Sequence, residues 1–132
     1  MWNYFWVAVG GAIGTVARYW FSSVIARQIG ETFPWGTLFI NVSGSLVIGF
    51  FATFFGPDSR FLAPPAVRQF VMIGILGGYT TFSSFSLQTL NLAREGNWLG
   101  AGGNALASFA LCLLAVWLGH IAALSATAMK GH

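Results

Sequence analysis

Charge is scarce in this sequence. Charged residues fill 7% of its 132 positions, against about 25% in an ordinary soluble domain. The acids are Glu31, Asp58 and Glu95, and each falls between apolar runs rather than inside one. That argues against a proton-coupled carrier, which depends on an exchangeable carboxylate within the membrane. The single cysteine, Cys112, cannot form an internal disulfide and reads as a small core residue. Neither His120 nor His132 has an acid or thiol at ligand spacing, which argues against a transition-metal site and an intramembrane hydrolase centre. His120 reads instead as an interfacial histidine. Six basic residues give a net charge of +3 without forming a cluster, so no nucleic acid is expected as a partner. There is no internal repeat, no low-complexity segment and no sign of a second domain.

What the chain has in excess is apolar surface. It is 56% hydrophobic and 17% aromatic, with a mean hydropathy of +0.72. A chain this short cannot hide that surface in its own core, so membrane lipid is its solvent. The expected fold is all-α, a single membrane domain over 1–132 with four transmembrane helices at about 2–25, 36–55, 66–92 and 98–124. The start, Met1-Trp2-Asn3-Tyr4, has no basic n-region, so the first run is expected to be retained as a span. Orientation is weakly encoded. Arg60, Arg68 and Lys130 fall on the side of both termini, and Arg27 and Arg94 on the other. Such a chain could insert either way round, and two opposed copies could pair.

Polar residues inside the spans recur at helical spacing. Gly10 and Gly14 make a small-residue face in span one, and Arg18 follows on the same face. A guanidinium there faces a polar cavity or snorkels to the interface beside Tyr19 and Trp20. Thr37, Asn41 and Ser45 form one stripe of span two. A buried amide such as Asn41 must find partners, on another helix or on a solute. Gly100, Asn104, Ser108 and Cys112 form a similar stripe in span four.

Span three carries the densest signal. Residues 74–86 place Gly74, Gly77 and Gly78 ahead of Thr80, Thr81, Ser83, Ser84 and Ser86. Glycine and threonine weaken a helix, so an interruption is expected between Gly77 and Thr81. In lipid an interrupted helix is tolerated where its freed backbone is buried in protein or lines a polar cavity. Carbonyls freed there could hold a small cation. Asn and hydroxyl groups suit a small anion, since they donate hydrogen bonds without adding negative charge. Phe82 and Phe85 pack against lipid or core, or turn their positive ring edges to that anion.

These residues resemble a known family. The run Gly36-Thr37-Leu38-Phe39-Ile40-Asn41 with Gly44 and Gly49, the segment from Gly74 to Ser86, and Gly11, Gly14 and Arg18 are similar to the CrcB/Fluc fluoride channels. The resemblance covers almost the whole chain. It implies an antiparallel, dual-topology homodimer in the bacterial or archaeal cytoplasmic (inner) membrane. Such a dimer exports fluoride passively through two pores at its interface and so lowers cytoplasmic fluoride toxicity; it is not an enzyme. It further implies a third helix broken near its middle, a fluoride pathway through Asn41, Phe82, Phe85, Ser83, Ser84, Asn104 and Ser108, and Arg18 at a vestibule. A structural sodium ion (Na+) would be held by the backbone carbonyls of Gly77 and Thr80 from each subunit. Two positions depart from the pattern: Asn104 stands where many relatives carry tyrosine, and Cys112 where serine is common.

Overall fold

In the computed structural model, residues 2–129 are described, and they contain helices and no strand. Lys130 and His132 lie outside the described residues. Helix α1 is Trp2–Ile29 and α2 is Trp35–Phe54. Helix α3 covers 65–79, with a π-helical stretch, Gln69–Ile75, between two α-helical turns. Helix α4 is Phe82–Arg94 and α5 is Trp98–Met129. Gly30 and Gly96 close α1 and α4 with φ of +99° and +82°, the left-handed region that glycine enters without strain.

Among the described residues, three stretches are long and apolar enough to cross a membrane: Trp35–Phe54, Pro65–Arg94 and Trp98–Ala128. The first expected span is not among them. Helix α1 has 28 residues, about 42 Å at 1.5 Å per residue. Its Trp2, Asn3, Tyr4 and Trp6 at one end, and Arg18, Tyr19 and Trp20 further on, dilute its apolar content.

Helix α2 packs along α5, α1 packs along α3, and α4 lies against α5. Small residues let two of these pairs approach to backbone contact. A Cβ added at Gly49 would meet the Val116 carbonyl, and one at Gly119 would meet the Leu46 carbonyl. Between α1 and α3, a Cβ at Gly14 would strike the Ile75 carbonyl, and one at Gly78 would lie 2.6 Å from the Gly11 carbonyl. Within the expected window from Gly77 to Thr81, Gly77 and Gly78 are helical, and Gly78 packs against α1 at Gly11.

The core is thin and built of small side chains. Helix α5 turns Ala101, Asn104, Ser108, Ala115 and Ala123 inward, while Leu106, Phe109 and Leu113 stand outward at 74%, 70% and 58% exposure. So wide an apolar exterior fits lipid or another subunit, not water.

Candidate functional site

The site gathers around two residues that leave the helical path. Helix α3 ends at Tyr79. Thr80 follows with φ −82°, ψ 156°, and Thr81 with φ −151°, ψ 110°, both extended. Helix α4 begins at Phe82, capped by Thr81, whose hydroxyl accepts from Ser84 N–H at 3.1 Å. A threonine just before the apolar Phe82 is a readable helix-start signal for this boundary.

Side chains answer several of the backbone groups released here. Thr80 N–H and its hydroxyl both donate to the Leu76 carbonyl, each at 3.0 Å. Thr81 N–H would close an α-turn on the Gly77 carbonyl. It donates instead to Asn41 Oδ1 at 2.8 Å, and Asn41 Nδ2 donates to the Thr81 carbonyl at 3.1 Å. Ser84 N–H would close a turn on the Thr80 carbonyl, and it donates instead to the Thr81 hydroxyl. The amides that would close on the Gly77 and Thr80 carbonyls are thus held by side chains, and no backbone amide closes on the Gly78 or Tyr79 carbonyl between them. Gly77 is exposed and Thr80 half-buried.

Helix α2 is shaped to receive this link. A Cβ at Gly44 would collide with Thr80 Cγ2 and lie 3.2 Å from the Tyr79 ring. Ser43 and Tyr79 share a hydroxyl hydrogen bond of 2.9 Å, and Phe21 meets the Tyr79 ring edge-on at 6.3 Å. A small cavity of about 160 Å³ opens beside the link, lined by Asn41, Gly44, Ser45, Met72, Gly77 and Thr80 among others.

Phe82 and Phe85 sit on the first turn of α4 with ring centroids 5.4 Å apart and planes tilted by 53°. Phe82 is 78% exposed, and Phe85 is half-buried. Ser83 is exposed and Ser84 half-buried, so this face of α4 is left uncovered by its own chain.

Asn104 and Ser108 are placed differently. Both are buried between α5 and α4, at 2% and 8% exposure. Ser108 Oγ donates to Asn104 Oδ1 at 3.4 Å, Asn104 Nδ2 donates to Thr89 Oγ1 at 2.9 Å, and Thr89 Oγ1 donates to the Phe85 carbonyl at 2.7 Å. The structure thus links these two residues to Phe85 through Thr89, a relay that sequence spacing did not reveal.

A larger cavity of about 660 Å³ lies at the end of the bundle that carries the α1–α2 and α4–α5 turns. Its lining includes Ser22, Thr37, Gln88 and Asn91, with Glu31 and Glu95 also present. Gln88 Oε1 is buried there without a hydrogen-bond partner. Arg18, the expected vestibule cation, is half-buried on α1. Its neighbour Tyr19 lines this cavity, and Arg18 does not. His120 lies far from the link, where Thr53 Oγ1 and His120 Nδ1 form a 2.7 Å hydrogen bond between α2 and α5.

The chain's likeness to known proteins runs along its whole length. The family described as CrcB-like protein, Camphor Resistance (CrcB), matches residues 5–120. A protein of Opitutus terrae named fluoride-specific ion channel FluC is 59% identical over 128 residues, covering 97% of each chain. A FluC of Methylocella silvestris is 54% identical over 98% of each chain. One of Rhodospirillum rubrum is 60% identical over 92% of this chain and 94% of its own. These relatives are named as channels and not as enzymes, and with the apolar helices they make this a multi-pass membrane protein. The chain belongs to the CrcB/Fluc family.

Proposed function

We propose that the protein is a passive, fluoride-selective channel that lets fluoride leave the cytoplasm across the inner membrane. The observation that carries this is the 59% identity, over 97% of both chains, to a protein named as a fluoride-specific channel. The geometry supports it in three respects. Phe82 and Ser83 stand exposed on a face that their own chain does not cover. No acidic side chain belongs to the groups around the Thr80–Thr81 link. The available polar groups are amides and hydroxyls, which can replace the water of a small, strongly hydrated anion at close range.

On this reading α1 is the fourth span, and 65–94 is a single crossing interrupted at Thr80 and Thr81. Two antiparallel copies bring their uncovered faces together, with one pore on each side of the interface. The even charge distribution supports insertion in both orientations: Arg60 and Arg68 lie at one end, Arg27 and Arg94 at the other. Asn41, Phe82, Phe85, Ser83 and Ser84 line the pathway, Asn104 and Ser108 support it from α5, and Arg18 draws anions toward the mouth.

Sodium is the implied resident cation, and the residues present fit it. Carbonyl oxygens suit a hard cation, and the Gly77 and Thr80 carbonyls have both had their helical amides diverted to side chains. Two such carbonyls from each of two copies would hold the ion. When bound, it would supply a fixed positive charge.

The test is flux. Purified protein in liposomes loaded with potassium fluoride should release fluoride rapidly once valinomycin is added, with no proton gradient, while chloride-loaded vesicles stay silent. Absence of release from folded protein in sodium buffer would overturn the reading and favour an assembly subunit of a larger membrane complex. Release that demands a proton gradient would favour a coupled carrier.

A further inference from the structure

Asn41 does more than offer a donor to a passing ion. The Thr81 amide can only donate, so the atom that faces it must be Oδ1, which fixes the orientation of the side chain. The same amide donates from Nδ2 to the Thr81 carbonyl, so Asn41 pairs with this peptide as a second strand would. The clamp reaches across 40 residues of sequence. Gly44, next along the same face of α2, leaves the space that Thr80 and Tyr79 occupy. One residue earlier the chain still closes its turn, with Thr80 N–H on the Leu76 carbonyl at 3.0 Å. Without the clamp, Thr81 N–H is free to do the same on Gly77.

We propose that Asn41 is a positioning residue that holds the Gly77 carbonyl out of the helix and so keeps it available to the cation. The second N–H of its amide remains free for the anion. The inference rests on the sodium reading given above, and it assigns to α2 the control of a site whose ligands all belong to the 65–94 segment.

Thr80–Thr81 is the only Thr–Thr peptide in the chain. Protein labelled with carbonyl-13C and amide-15N threonine therefore gives one directly bonded carbonyl–nitrogen correlation in membrane solid-state NMR, and it reports this peptide alone. In the wild type, replacing N-methylglucamine with sodium should shift that resonance. Asn41→Leu should move it before any sodium is added and weaken the sodium response by about tenfold, the effect of losing one to two hydrogen bonds. Asn41→Asp retains the acceptor oxygen for Thr81 N–H and should keep the sodium response. If Asn41→Leu fails to fold, Asn41→Ser, one bond too short to span the contact, takes its place in the comparison. A wild-type sodium shift that survives in Asn41→Leu or Asn41→Ser would overturn the proposal and leave Asn41 as an anion donor only. A wild type that ignores sodium would overturn it as well. Fluoride release measured on the same samples reports separately on the channel reading: a wild type that responds to sodium but passes no fluoride would refute the channel and leave the clamp standing.

Discussion

The α2–α5 seam and the Thr80–Thr81 link solve opposite problems with the same small vocabulary. Along the seam both helices are continuous, so every backbone group is already bonded within its own helix. All the seam needs is room, which Gly49 and Gly119 provide by admitting the opposing backbone. At the link the helical bonds are gone. In a low-dielectric setting a released amide needs another acceptor, and for Thr81 and Ser84 the acceptors are Asn41 and the Thr81 side chain. At the link, polar side chains stand in for missing backbone partners. Along the seam, glycines admit a backbone that is complete but crowded.

Substitutions that treat the two regions alike would break this comparison. The largest effect is expected at the seam. Gly49→Ala places a methyl group against the Val116 carbonyl, and overpacking a core typically costs about 1–3 kcal/mol. With rigid backbone as the obstacle, we expect the upper end of that range, seen as a large loss of folded, monodisperse protein after extraction. Wild-type yield and melting temperature in this variant would show that the seam can slide apart cheaply.

Next comes Phe82→Ile with Phe85→Ile. Phe82 is 78% exposed, so folding should survive, while fluoride release should fall at least about tenfold, the equivalent of about 1.4 kcal/mol and within the range of one aromatic-edge contact. Full flux in the double variant would sink the aromatic role.

Asn104→Leu ranks third. It takes the acceptor from buried Ser108 and the donor from Thr89, which keeps its bond to the Phe85 carbonyl, at a cost of about 1–3 kcal/mol. Thr89→Val added to it should cost less than the sum of the two single changes, as read from thermal melts. Strict additivity would mean that the relay to Phe85 is not a coupled unit.

The smallest effect, and the sharpest contrast, lies in two matched deletions. Thr81→Val removes the α4 cap, and Thr53→Val removes the bond to His120. Each should cost about 1 kcal/mol of stability. Only Thr81→Val should also slow fluoride release, because Thr53 bridges two continuous helices far from the link. Equal slowing by both would mean that flux tracks stability in general.

Much of this architecture could be read from composition and spacing. Hydropathy separates the apolar runs, and the absence of acids inside them already disfavours a proton-coupled mechanism. The polar residues that gather around the link, Asn41, Thr80 and Ser84, stand out because nothing in a lipid-facing helix would call for them. Other features were hidden for physical reasons. Gly77 and Gly78 look like helix breakers by propensity, yet close packing against Gly11 makes glycine at position 78 a requirement of helix pairing. Within the expected window the departure falls at the two threonines, where the acceptor that stabilises it comes from another helix. Periodicity describes one helix at a time, so it could not show Asn41 facing Thr81 or Asn104 facing Thr89. The π-helical stretch at Gln69–Ile75 is likewise unannounced: nothing in Gln-Phe-Val-Met-Ile-Gly-Ile distinguishes it from an ordinary helical run.

The reliance of the link on Asn41 and Gly44 has a consequence for protein engineering. The segment 74–86 carries most of the signature, but it is not a portable cassette. Grafted into another four-span scaffold, it would meet a second helix lacking the amide and the gap that hold it open, and it would anneal into a continuous helix. A functional chimera would have to exchange residues 36–49 together with 74–86, so recombination between distant members should be tolerated at the 56–64 loop only when both parents supply the same pairing across it.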